Sequence, residues 1–168
     1  EREIRDLAAG LRRRGVPLML SVPSFNHHGL RVSPPADGHG DFAAVERVID
    51  ALRGGDAAAT AGAEALVRDH PDEPSSWFLR SLAAESVGDL AGAEDAIWQV
   101  ARRNHNGSAA TPGVVGAIRR IARDEGLPLA DPHAALHRAA GAHAPGYDLF
   151  FDFVHLNARG ADVVARAL

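Results

Sequence analysis

Apolar residues recur at helical spacing along most of the chain, and glycine or proline closes most of the periodic stretches. In residues 3–14 the stripe consists of Ile4, Leu7, Ala8 and Leu11, and Gly15 ends it. The same pattern predicts further helices at residues 42–52, 57–69, 75–87, 90–103, 114–124, 132–140 and 158–168. Between residues 42 and 103 there is no strand pattern.

Two short apolar runs interrupt the helices, at residues 16–23 and 127–131. Each run follows a helix and a glycine, contains a proline between hydrophobic residues, and leads into a polar stretch. Short runs without alternating polar residues are typical of strands that are buried on both faces of a parallel sheet. Two such units predict an α/β arrangement in which the two strands are parallel and adjacent.

The helices predicted at 75–87 and 90–103 resemble a tetratricopeptide repeat, a helical hairpin of about 34 residues. Counted from Pro74, the packing positions of the repeat are matched in part by Trp77, Leu82, the Gly88-Asp89 turn, Ala93 and Ile97. About three repeats are needed to bury a continuous core. We therefore interpret the single copy as an inserted helical subdomain, and a protein-binding array is the alternative.

Composition and charge exclude several classes of function. The chain has 168 residues and a formal charge of -4, and its longest basic run is the three arginines at 12–14, so the positive surface of a nucleic-acid-binding protein is missing. It has no cysteine, which excludes disulfides and thiolate metal sites. No segment approaches the ~18 apolar residues of a membrane span and no signal peptide is visible, so we expect a soluble chain of undetermined compartment. Because the first residue is Glu1 and not Met, we expect a piece of a longer polypeptide.

The strongest chemical signal is an Asp-x-x-His pair near the end of the chain, Asp152 and His155. Aromatic and branched apolar residues surround the pair, which predicts a mostly apolar setting for both titratable groups. Asn157 can cap the helix that begins at residue 158, so His155 is predicted to lie just before a helix N-terminus. A general base needs an imidazole that a carboxylate holds in one tautomer, and Asp152 can supply that carboxylate. Taken alone, such a pair is more often a cap or a surface pair, and that alternative stays open.

With its context, the pair resembles the last sequence block of the SGNH/GDSL hydrolases. The resemblance rests on the Asp-x-x-His-x-Asn-x-x-Gly stretch that ends at Gly160, supported by the order of the strands and the helical insertion. It implies the C-terminal part of a flavodoxin-like α/β fold, with a three-layer parallel sheet, from a bacterial subgroup that carries a tetratricopeptide-like insertion. The incomplete α/β core would span 1–41 and 108–168. The inserted all-helical hairpin subdomain would span 42–107, with its repeat at about 74–107.

The resemblance also implies roles for the two residues. His155 would be general base and acid, and Asp152 its orienting carboxylate, in an esterase or acyl hydrolase without cofactor or metal. The family's nucleophilic serine belongs to a Gly-Asp-Ser-like block, and the chain contains no Gly-Asp-Ser. Ser21 is expected inside a strand, and Ser24 lacks the helix-start setting of a nucleophile. The serine and the oxyanion donors would therefore come from an N-terminal segment outside residues 1–168, and the isolated chain is expected to be inactive.

A polar loop follows the first predicted strand, and its Asn26, His27, His28 and Arg31 are candidates for substrate binding. Ligands of open α/β sheets bind at the carboxyl ends of strands, where this loop would lie. A plain surface loop is the alternative.

A second histidine pattern is His133 and His137, which stand one helical turn apart and could share a metal ion. No glutamate stands beside the first histidine, as it does in the metalloprotease motif, so exposed helix histidines are the favoured interpretation and no metal site is predicted. No Gly-rich phosphate loop follows either strand.

Two functions follow from these observations. The first is the hydrolase described above, with an ester or acyl small molecule as substrate and the N-terminal segment of the same protein as partner. The second is a non-catalytic helical module, in which Trp77, Trp98 and the hairpin face bind a protein partner and the Asp-His pair is structural.

Overall fold

The structure is a computed structural model that describes residues 1–29, 42–103 and 110–168. Within these ranges the chain is mostly helical. Its elements are, in chain order, α1 (Arg2–Arg13), β1 (Leu20–Ser21), α2 (Phe42–Arg53), α3 (Ala57–Asp69), α4 (Pro74–Ser86), α5 (Leu90–Arg103), α6 (Pro112–Glu125), β2 (Leu129–Ala130), α7 (Pro132–Ala140) and α8 (Ala158–Ala165). The helix bounds lie close to those that apolar periodicity predicts.

The prediction of a flavodoxin-like three-layer parallel sheet is wrong. In the described residues the sheet consists of β1 and β2 alone, paired parallel with Leu20 opposite Leu129 and Ser21 opposite Ala130. The parallel pairing of the two apolar runs is therefore confirmed, but the runs form a ladder of only two residues each. Pro17 and Pro128 have no N–H group to donate to that ladder. The ladder is therefore shorter than the two apolar runs from which it forms.

The predicted burial of both strands on two faces is also wrong. Met19, just before β1, and Leu129 in β2 are exposed, while Ala130 is buried. Helix α6 contacts β1, and α1 is tied to α6 by ion pairs from Arg5 to Asp124 and Glu125. A two-stranded ladder has few neighbours, so part of its apolar surface faces solvent.

The larger core lies among the four helices α2 to α5. Helix α4 packs against α5, α3 and α2, and Phe78, Leu79, Leu82, Ile97 and Val100 are buried between them. Phe25, from the segment after β1, belongs to the same core and packs edge-on against Trp98 at 5.6 Å between ring centroids. The helical hairpin and the loop that follows β1 therefore share one hydrophobic core. The proposed boundaries at 42–107 remain a prediction.

The two tryptophans of the hairpin are engaged within the chain. Trp77 donates its indole N–H to the carbonyl of Pro71 at 2.7 Å, and the guanidinium groups of Arg80 and Arg103 lie over its ring at 5.6 and 4.8 Å. Trp98 packs against Phe25. Binding of a protein partner to this face stays a prediction.

A smaller core lies under the Asp-His motif. Leu136 and Ala140 of α7 are buried with Leu149 and Phe150, and Val163 and Val164 of α8 pack against them in part. The motif therefore rests on two helices whose apolar faces meet beneath it. None of the described helices combines the length and the apolar character needed to cross a membrane.

Candidate functional site

Asp152 and His155 form a hydrogen-bonded pair on a tight turn. The distance from His155 Nδ1 to Asp152 Oδ2 is 2.7 Å. The other carboxylate oxygen accepts the backbone N–H groups of Val154 at 2.9 Å and His155 at 2.8 Å. Because an ionised carboxylate only accepts hydrogen bonds, Nδ1 carries the proton, and in the neutral imidazole Nε2 carries the free lone pair. The geometry holds the imidazole in the tautomer that a general base needs.

The pKa of the Asp152 carboxyl group is lowered by the hydrogen bonds that it accepts. The backbone N–H of His155, then that of Val154, and then the imidazole of His155 lower its pKa from 3.8 to about 2. Hydrogen bonds that are donated to the charged form stabilise that form, which is why the pKa falls.

The predicted apolar setting of the pair is wrong in the described chain. The side chains are 76% exposed for His155 and 57% exposed for Asp152. Their apolar neighbours in the sequence do not all lie on the same side of the turn. Phe150 is buried in the smaller core, whereas Phe151 and Val154 are exposed to solvent. Among the described residues no hydrogen-bond partner stands at Nε2 of His155, so this nitrogen is open to an incoming group.

Asn26 anchors the motif from the segment after β1. Its backbone N–H donates to the carbonyl of Phe153 at 2.9 Å, and its amide Nδ2 donates to the carbonyl of Asp152 at 3.0 Å. Its amide oxygen accepts the backbone N–H groups of His28 at 2.9 Å and Gly29 at 3.0 Å. A fully buried side chain therefore positions the Asp152 backbone without touching the reactive atoms.

The other side of the motif is held by the start of α8. Asn157 caps the helix through the backbone N–H of Gly160 at 3.0 Å, as its position predicts, and donates to the carbonyl of Asp148 at 2.9 Å. A Cβ atom at Gly160 would collide with the carbonyl oxygen of Leu149, which accepts the backbone N–H of Asn157 at 3.1 Å. The Asn and Gly of the motif thus let α8 approach the turn closely enough to fix His155.

A small cleft of about 140 Å³ is lined in part by Val154 and Leu156, the two residues on either side of His155 in the sequence. Its lining is mainly apolar and includes Val154, Leu156, Phe150 and Leu136, together with the two serines Ser21 and Ser24. Its volume matches the scale of a cavity that holds a benzene-sized group, about 150 Å³. The hydroxyl of Ser24 is buried and makes no hydrogen bond, so it is not paired with His155.

The four candidates for substrate binding do not gather around the pair. Asn26 is buried and structural in its contacts, and His27 is buried elsewhere, only 1% exposed. His28 bonds through Nε2 to Glu85 Oε2 at 2.8 Å and lines a separate cavity of about 270 Å³ together with His143. Arg31 lies outside the described residues. Their assignment to substrate stays a prediction.

The interpretation of His133 and His137 as exposed helix histidines is wrong. His133 is buried and His137 half-buried, and both rings meet that of His27, with centroid distances of 6.3 and 4.9 Å. Burial, followed by the neighbouring histidines, lowers the pKa of His27 well below its ordinary value, and burial also lowers that of His137. The lowered pKa favours the neutral imidazole at His27 and at His137, which is the form that binds metal ions.

Sequence reasoning missed Glu94 of α5. Its Oε1 lies 3.1 Å from His133 Nε2 and accepts the indole N–H of Trp98 at 3.3 Å. The bond from His133 lowers the pKa of Glu94 to about 2, against the effect of partial burial. No local pattern could have indicated this contact, because 39 residues separate the two partners.

Comparisons of the chain with protein-family models, with curated proteins and with solved structures find no match. Two arrangements of side chains in the described residues are suited to chemistry: the exposed Asp152–His155 pair, and the group of three histidines with Glu94.

Proposed function

We propose that the chain supplies the base and its orienting carboxylate to a serine-dependent acyl-transfer reaction of the SGNH type. The observation that carries the proposal is the 2.7 Å hydrogen bond between His155 Nδ1 and Asp152. It leaves Nε2 with a lone pair at an exposed position, where a hydroxyl group can reach it.

In the proposed reaction, the oxygen of a serine hydroxyl attacks the carbonyl carbon of an ester while its proton passes to His155 Nε2. The imidazolium that forms is stabilised by the adjacent Asp152 carboxylate, which stays ionised. When the ester C–O bond breaks, the leaving alcohol takes the proton from Nε2. Water then attacks the acyl-enzyme in the same way, giving the carboxylic acid and regenerating the serine.

The serine is proposed to come from a segment of the polypeptide outside residues 1–168, because neither of the two serines that line the neighbouring cleft, Ser21 and Ser24, is hydrogen-bonded to His155 in the described chain. The exposed apolar side chains of Met19 and Leu129 support the docking of such a segment beside the short sheet. The small apolar cleft next to Val154 favours an ester with a short acyl group.

The test compares residues 1–168 with the complete polypeptide, using a short activated ester as substrate. We expect no turnover by residues 1–168 alone. In the complete polypeptide, His155→Ala should lower kcat by roughly 10²–10⁴-fold, the usual contribution of a general base. Asp152→Asn should also lower kcat, because the imidazole loses its carboxylate. A fluorophosphonate probe should label one serine of the complete polypeptide covalently.

His70→Ala is the matched control, since His70 is an exposed histidine outside the pair, and it should leave turnover unchanged. Unchanged turnover in a folded His155→Ala variant would remove this residue from the mechanism. Hydrolysis that depends on His155 in residues 1–168 alone would contradict the proposed origin of the serine.

A further inference from the structure

Three histidines converge in the interior, and in the described chain none of their side chains is hydrogen-bonded to Asp152 or His155. His27 follows β1, and His133 and His137 lie one turn apart on α7. One ring nitrogen from each residue lies within 4.8 Å of those of the other two. The fold brings these metal-binding side chains together from two distant parts of the chain, so their proximity is a result of tertiary packing and not of neighbouring positions in the sequence.

Among the residues that the structure describes, the cluster contains most of the buried side-chain polar atoms that lack a hydrogen-bond partner. In the described part of the chain, five buried side-chain nitrogen or oxygen atoms lack a hydrogen-bond partner, and four of them are ring nitrogens of these histidines. They are both nitrogens of His27, Nδ1 of His133 and Nε2 of His137. Buried polar atoms are normally paired, so four unpaired nitrogens at one point call for a ligand.

Glu94 determines which nitrogen of His133 is available. Its ionised carboxylate accepts the Nε2–H of His133 at 3.1 Å, which leaves the lone pair on Nδ1. Nδ1 is the unpaired, buried atom of that ring. A carboxylate that holds the outer nitrogen of a histidine is the usual support of a metal-binding imidazole.

We propose that His27, His133 and His137 bind one divalent first-row transition metal ion, with Zn²⁺ the best match. The ligand atoms are His133 Nδ1, His137 Nε2 and one ring nitrogen of His27. Three neutral imidazoles suit Zn²⁺ and leave a fourth position for water or a small ligand. The site is separate from the proposed acyl-transfer chemistry, and a metal bound there would also fix the segment that carries Asn26.

The geometry needs only side-chain adjustment to close around an ion. With Zn–N bonds of about 2.0–2.1 Å at tetrahedral angles, donor atoms stand about 3.4 Å apart. The nitrogens within 4.8 Å of one another would therefore approach by at most about 1.4 Å, the difference of these two distances. The half-buried His137 and the partly exposed Glu94 provide the side from which an ion enters.

The experiment titrates chelator-treated chain with Co²⁺, monitored by the visible absorption of the four-coordinate ion, and then displaces Co²⁺ with Zn²⁺. We expect saturation at one equivalent. His133→Gln and His137→Gln should abolish the absorption band. Glu94→Gln, which keeps all three ligands, should weaken Zn²⁺ binding by roughly 10–100-fold.

His70→Gln and His155→Gln are the controls, and both should bind like the wild type. Circular dichroism reports whether each variant folds. If a histidine variant does not fold, the Zn²⁺ affinity of Glu94→Gln tests the proposal in its place. The proposal is overturned by the absence of saturable binding, by binding that survives His137→Gln, or by equal affinity in wild type and Glu94→Gln. Loss of binding in His155→Gln would place the ion at the exposed Asp152–His155 pair and would also overturn the proposal. None of these outcomes depends on ester hydrolysis.

Discussion

Replacing Asn26 with alanine tests how the Asp-His turn is held in place. The amide makes three hydrogen bonds: it donates to the carbonyl of Asp152 and accepts the backbone N–H groups of His28 and Gly29. Its side chain is fully buried, so water does not replace these bonds fully once the amide is gone.

The expected loss follows from the three bonds. A hydrogen bond contributes about 1 kcal/mol net, so the variant should lose about 3 kcal/mol of the free energy of unfolding. With a urea m-value of about 2 kcal/mol/M, the unfolding midpoint should fall by roughly 1.5 M. Gly29 retains a weaker bond, at 3.3 Å, to the backbone carbonyl of Asn26, which limits the loss.

The assay is urea unfolding followed by circular dichroism, with Ser24→Ala as the matched control two residues away. The hydroxyl of Ser24 is buried without a partner, so its removal breaks no hydrogen bond and should shift the free energy of unfolding by less than about 0.5 kcal/mol. Amide hydrogen exchange adds a local measurement: the N–H groups of Val154 and His155 should exchange faster in Asn26→Ala. Equal midpoints for the two variants, with unchanged exchange in the turn, would refute the anchoring role.

Two further predictions concern the same region. In an NMR titration the carboxyl carbon of Asp152 should show a midpoint near 2, and His155→Ala should leave that midpoint below 3.8 because the two strongest hydrogen bonds come from backbone N–H groups. Since the folded pKa is depressed, the stabilisation from this carboxylate is present above about pH 4 and is lost as the pH falls towards 2; a wild-type midpoint of 3.8 would contradict the geometry. Gly160→Ala should lower the free energy of unfolding by about 1–3 kcal/mol in thermal unfolding, because the added Cβ meets the carbonyl of Leu149. Gly10→Ala is its control: the site has space, so the change should stabilise the helix by up to about 1 kcal/mol, and equal effects of the two changes would refute the steric explanation.

The helices of this protein could be predicted because their signals are local. In α6, Thr111 caps the first turn through the backbone N–H of Val114, and Gly126 ends the helix in the left-handed conformation with a φ of 61°. Capping residues, apolar spacing and glycine stops all lie within a few residues of the helix they define. The bounds of α3, Ala57–Asp69, coincide with those expected from sequence for this reason.

The sheet could not be predicted in the same way. An apolar run such as residues 16–23 has the composition of a buried strand, but a strand exists only where another strand offers hydrogen bonds. Here β1 finds only β2 in the described chain, and the ladder stops after two residues. The family resemblance added a sheet that the described residues do not contain.

The sequence by itself predicted the contact between Asp152 and His155, because residues three apart on a tight turn can reach hydrogen-bonding distance, and the structure contains that contact. It did not determine their exposure, since apolar neighbours in sequence can turn outward, as Phe151 does. Only the tertiary structure decided that His27 meets His133 and His137 in the interior and that Glu94 supports them. Helical spacing tells which side chains share a face, whereas the group that packs against that face depends on contacts between distant parts of the chain.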